Sequence, residues 1–140
     1  MAEGYEPVRG GCQCGGIRYE VTGAPQQLVV CHCKDCQRQS GSAFGMTLVV
    51  KEEDFRLTHG EPKSFTSTSD AGRAKFGAIC PECGTRIYHK PEYRKGTASV
   101  KPGTLDDTSM LKPGIHIWTG SKQPWITIPE DVEAHEKSPT

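Results

Sequence analysis

No stretch of this 140-residue sequence stays apolar for the ~20 residues that a membrane span requires. Excess charge of either sign is also missing, since 17 Lys and Arg stand against 17 Asp and Glu. A nucleic-acid binder usually shows a basic surplus, so this balance argues against a phosphate backbone as partner. Hydrophobic residues are scarce, at 34% with a mean hydropathy of -0.56, which permits only a modest core. Met1–Gly11 carries charges and lacks an apolar run, so the expectation is of no secretory leader. No repeat, linker or low-complexity tract interrupts the chain, and one domain over residues 1–140 is the simplest organisation. Residues 1–9 and 130–140 are expected to be flexible or peripheral.

Cysteine is abundant by contrast. Seven cysteines form three clusters: Cys12-x-Cys14, Cys31-x-Cys33-x-x-Cys36 and Cys80-x-x-Cys83. Disulfides fit this pattern poorly, because the number is odd and neighbours one or two residues apart bridge each other badly. Short spacings suit a metal ion, zinc above all. Reduced thiols for metal binding suit the cytosol. Seven also divides into four and three. A closed structural zinc takes four protein ligands, and a catalytic one takes three and keeps a position open.

Gly 16 and Pro 10 point to many turns between short strands. Strands are expected at Ile17–Val21, Leu28–Val30, Ala43–Val50, Phe55–Thr58, Lys63–Thr68, Arg73–Ile79, Arg86–His89, Thr97–Val100 and Ile115–Thr119. Lys34–Ser40 suits one or two helical turns, Lys51–Asp54 a charged turn, and Ser69–Gly72 a turn. Gly10–Gly16 reads as a glycine-flanked loop around Cys12 and Cys14. The class is mainly β.

Cys12/Cys14 and Cys80/Cys83 resemble the two knuckles of a zinc ribbon and pair as a tetrathiolate that holds the fold. Cys31, Cys33 and Cys36 remain as a three-ligand set whose fourth position is open to water, a thiol or a histidine. His32, between two ligands, should point away; His89 and His116 reach the site only if the fold delivers them. Three thiolates leave a zinc site near one negative charge, so bound water is less acidified than in a three-histidine site. Soft sulfur surroundings favour an incoming thiol, held as thiolate, over hydrolysis.

The segments Gly11–Gly16, Cys31–Phe44, Cys80–Gly84, Gly103–Asp107, His116–Trp118 and Lys122–Trp125 together resemble the glutathione-dependent formaldehyde-activating enzyme family, which includes centromere protein V. The resemblance implies a β-tent fold related to zinc ribbons, with two zincs. It assigns Cys12, Cys14, Cys80 and Cys83 to the structural ion and Cys31, Cys33 and Cys36 to the catalytic one. It implies a carbon–sulfur lyase that joins glutathione and formaldehyde into S-(hydroxymethyl)glutathione, with glutathione as co-substrate. The family often has arginine directly after its third catalytic-cluster cysteine, where this chain has Gln37 and then Arg38. The alternative is a non-catalytic zinc module for protein or nucleic acid. Lys34, Arg38, Ser40, Ser42, Phe44, Trp118, Trp125, Asp106 and Asp107 are candidates around the open site, each with an ordinary surface, turn or core role as the commoner reading; none is taken as catalytic.

Overall fold

A computed structural model describes residues 6–68, 74–92 and 94–137. The turn expected at Ser69–Gly72 and the first residue of the strand expected at Arg73–Ile79 lie outside the described residues. So do the two ends of the chain, residues 1–5 and 138–140.

Strand outweighs helix, as the mainly β expectation requires. The described strands are β1 (Val8–Gly11), β2 (Arg18–Val21), β3 (Gln27–Cys31), β4 (Gly45–Lys51), β5 (Phe55–His59), β6 (Lys63–Thr68), β7 (Ala74–Ile79), β8 (Arg86–Pro91), β9 (Thr97–Val100), β10 (Ile115–Ile117) and β11 (Glu133–Ala134). One helix, α1 (Lys34–Ser40), follows β3. A small sheet has the order β1-β2-β5, and a large one the order β11-β10-β3-β4-β9-β8-β7-β6. Pairing is antiparallel except where β10 runs parallel to both β3 and β11.

The main core lies between the sheets. In β2, polar Arg18 and Glu20 alternate with fully buried Tyr19 and Val21, as period-two patterning demands. These meet Leu28, Leu48, Val50, Ala98 and Val100 from one face of the large sheet, together with Ile87. Each Leu, Val or Ile among these contributes about 1.5–3 kcal/mol on full burial. The Tyr19 hydroxyl has a partner in Thr104 Oγ1 at 2.6 Å, so its burial leaves no polar atom unmet. The opposite face carries the smaller cluster of Val29, Val49 and Ile115.

Most strand boundaries shift by one or two residues, and two larger departures have a physical cause. Gly10 and Gly11 belong to β1, not to a loop. Their lack of a side chain serves close packing: a Cβ on Gly10 would stand 2.4 Å from the Thr104 carbonyl oxygen, and one on Gly11 2.3 Å from that of Ile17. The strand expected over Ile115–Thr119 stops at Ile117, because Trp118 takes a left-handed conformation with φ 57° and opens a 3-10 turn at Thr119–Ser121.

Candidate metal centres

Two strand-to-strand turns build the four-sulfur cluster. Cys12 follows β1, and its N–H donates to the Ile17 carbonyl at 3.1 Å; Cys80 follows β7, and its N–H donates to the Thr85 carbonyl at 2.9 Å. Each closes a six-residue loop, Cys12–Ile17 and Cys80–Thr85, that contains two cysteines. Gly84, at φ 79°, donates back to the Cys80 carbonyl at 2.9 Å, a turn that only glycine enters without strain. All four sulfurs lie within 4.8 Å of one another. Cys12 Sγ is 3.6 Å from Cys14 Sγ, which is 3.7 Å from Cys80 Sγ. Sulfurs ~2.3 Å from a tetrahedral zinc stand about 3.8 Å apart, so the donors fit such an ion.

N–H groups are already turned to these sulfurs. Ile17 donates to Cys12 Sγ at 3.2 Å. The Thr85 hydroxyl, 3.2 Å from Cys83 Sγ, acts with backbone N–H groups of Thr85 and Cys14 to bring the Cys83 thiol down to about 5. It is a thiolate at neutral pH, the form a metal requires.

The three-sulfur cluster is built at the junction of β3 and α1. Cys31 ends β3, Cys33 is the N-cap of α1, and Cys36 is in its first turn. Cys33 Sγ accepts from the Cys36 N–H at 3.3 Å, so capping the helix also turns this sulfur toward Cys36. The Cys31 and Cys36 thiols, then the N–H groups of Cys36 and Asp35, hold Cys33 well below the ordinary thiol range, against its burial. The three sulfurs again lie within 4.8 Å of one another. Among the described residues no histidine or carboxylate joins them as a fourth donor, and all seven cysteines are free thiols.

The histidines go elsewhere. His32 is fully buried, and its Nε2 meets His116 Nδ1 at 2.9 Å with the rings stacked. Burial lowers the pKa of both, helped at His32 by His116 and Lys122, so the pair is neutral. His89 lies in the middle of the large sheet, opposite Gly77 and Ser99.

The other candidates scatter. Lys34, Arg38 and Ser42 line an open cavity of about 380 Å³ with Gln37 and Gly41. Ser40 donates to the Phe44 carbonyl at 3.0 Å, a local turn bond. Phe44 packs edge-on to His32, and Trp125 is exposed. Asp106 pairs with Arg18, and Asp107 accepts from Ser109.

Gln37 is a residue whose role the sequence did not reveal. Its Nε2 donates to the carbonyls of His32 at 2.8 Å and Ser121 at 3.0 Å, and its Oε1 accepts from Gln123 at 2.9 Å. It ties α1 to the Ser121–Gln123 segment. Lys75, Arg86 and Lys101 were missed as well, because distant strands bring them beside α1. Gln39 Oε1 accepts from Lys75 Nζ at 3.5 Å and from Arg86 Nη2 at 3.3 Å.

Residues 7–121 match the family described as glutathione-dependent formaldehyde-activating enzyme. The chain belongs to this family. A crystal structure of a Rhodobacter sphaeroides protein from a structural genomics programme shares the fold, with a TM-score of 0.57 at 18% identity. The similarity covers 76% of this chain and 92% of that one. Both sulfur clusters fall inside the matched segment.

Proposed function

We propose that this protein is a zinc-dependent carbon–sulfur lyase acting on a small-thiol adduct, with S-(hydroxymethyl)glutathione formed from glutathione and formaldehyde as the leading case. The observation that carries this reading is the Cys31, Cys33 and Cys36 set, three convergent sulfurs without a fourth protein donor among the described residues. Family membership over residues 7–121 supports the substrate pair. Cys12, Cys14, Cys80 and Cys83 would hold a structural zinc that staples β1 to β7. Cys31, Cys33 and Cys36 would hold the second ion.

That ion, when bound, supplies a soft position at which a thiol is kept as its thiolate near neutral pH. In the overall reaction the thiol sulfur would gain a bond to the formaldehyde carbon, the carbonyl π pair would move to oxygen, and that oxygen would take up the proton the thiol lost. The chain's own residues supply position. Gly45 gives Cys36 room, Cys33 caps the helix, and Gln37 anchors that helix to the Ser121–Gln123 segment. Reduced thiolates suit a cytosolic setting.

The test is metal analysis with calorimetric titration of glutathione, followed by adduct formation measured against the spontaneous reaction. Two zincs per chain, glutathione binding lost in Cys33→Ser, and acceleration over background are expected. A protein that holds both zincs yet binds no thiol would be a zinc module without this chemistry.

A further inference from the structure

We infer that Lys75, Arg86 and Lys101 form a carboxylate-binding subsite beside Cys31, Cys33 and Cys36, and that the thiol taken there carries a carboxylate. The thiol half rests on the function proposed above; the anion half stands on the cations themselves.

Strands β4 and β6 to β9 converge with α1 on this place. Phe65, Gly77, His89 and Ser99 form one cross-strand row over β6, β7, β8 and β9. Gly77 leaves space that the Phe65 ring fills, since a Cβ there would meet the ring at 2.1 Å. The Arg86 guanidinium lies over that ring, 4.9 Å from its centre. Gln39, on the helix that carries Cys36, holds Arg86 and Lys75 together. Lys101 Nζ reaches the Met46 carbonyl at 3.4 Å, next to Gly45, against which Cys36 packs.

Among the described residues these cations have no carboxylate partner. Among the described residues, ion pairs are made by Arg9, Arg18, Arg56, Lys90 and His135, and none by Lys75, Arg86 or Lys101. Glu92, just past β8, accepts instead from the Ala74 N–H at 3.1 Å. Arg86 Nε is buried and unpartnered, as is His89 Nδ1. Burial brings Lys101 down to about 8, with Arg86 and Lys75 pushing the same way and the sulfurs of Cys36 and Cys31 pulling back. Partly buried cations without a counter-charge are costly, and evolution tolerates the cost where a ligand supplies the charge.

The thiolates do not supply enough. Three of them with one divalent ion carry about one negative charge. Three cations against that leave about two positive charges. A thiolate with one carboxylate restores neutrality. The flat guanidinium, with its free Nε, matches a carboxylate better than a point charge would.

The experiment is calorimetric titration of the zinc-loaded full chain at low salt with 3-mercaptopropionate, 2-mercaptoethanol and propionate. The expected result is that 3-mercaptopropionate binds about ten- to a hundredfold tighter than 2-mercaptoethanol. Arg86→Met and Lys101→Met should remove most of that advantage, weakening 3-mercaptopropionate far more than 2-mercaptoethanol. Propionate binding that disappears in the same variants, with no binding of 2-mercaptoethanol, would support the anion subsite and remove the thiol reading. Equal affinity for the two thiols in the wild-type protein overturns the subsite whatever the variants do, and leaves thiol binding intact. Binding of none of the three probes overturns it too.

Discussion

Gly45 lies directly against Cys36: a Cβ built on the glycine would stand 3.0 Å from Cys36 Cβ and 3.4 Å from its sulfur. The Cβ of Cys36 is fixed to the helix backbone, so it cannot yield without moving the sulfur. Gly45 does not have a positive φ, so alanine meets no backbone strain there. Gly45→Ala is therefore a steric test of the three-sulfur site alone. It should cost about 1–3 kcal/mol through overpacking. Metal content should fall from two equivalents toward one. A variant that keeps two equivalents and the wild-type Tm would show that Cys36 is not held in place by this contact.

Cys83→Ser and Cys33→Ser should separate the two clusters. Cys83 belongs to a closed set that joins the β1–β2 and β7–β8 turns, so its loss should lower Tm by about 10 °C or more. Cys33 also caps α1, and serine is itself a good N-cap, so this replacement removes the metal ligand and spares the helix start. Its Tm should fall much less, while calorimetric glutathione binding disappears. Equal losses of Tm would argue against a division between structural and ligand-binding ions.

The clusters were legible in the sequence because a metal ligand set is written in short spacings, and Cys31, Cys33 and Cys36 span one strand end and one helical turn. The mainly β class was legible for a similar reason: Arg18–Val21 and Lys63–Thr68 show their strand character locally. The partners of Gln39 were not. Lys75 and Arg86 reach it across 36 and 47 residues of chain, through registers that no local pattern specifies. Gly10 and Gly11 misled for a related reason. Glycine marks a turn by conformation or a strand by close approach, and only the Thr104 and Ile17 carbonyls beside them tell the two apart. Trp118 ended β10 early because its left-handed backbone has no signature in a run that otherwise suits a strand.

Gln37 makes three hydrogen bonds with its side-chain amide, to His32, Ser121 and Gln123. Gln37→Leu keeps the bulk and removes all three, leaving the partners to find water. The expected loss is about 1–3 kcal/mol, measured by denaturant unfolding of the zinc-loaded protein. Thiol affinity should weaken with it, because the helix that carries Cys36 loses its tie to the Ser121–Gln123 segment. A stable variant with unchanged thiol binding would reduce Gln37 to a surface residue.

His89 should make the fold acid-sensitive well above the carboxylate range. Burial, then the cations Lys101, Lys75, Arg86 and Arg94, bring its pKa from 6.5 down to about 2. The unfolded chain therefore binds one more proton than the folded chain between those values. The stabilisation is complete above pH 6.5 and is lost as pH falls toward 2, at up to about 1.4 kcal/mol per pH unit. His89→Gln has no such proton to take up. Denaturant unfolding at pH 7.5, 6.5 and 5.5, with metal content followed in parallel, should give a steeper loss for the wild-type protein than for the variant. Zinc release on acidification acts on both proteins, so the difference in slope isolates His89. Parallel slopes would mean that the imidazole accepts a proton inside the folded sheet, which the four surrounding cations should forbid.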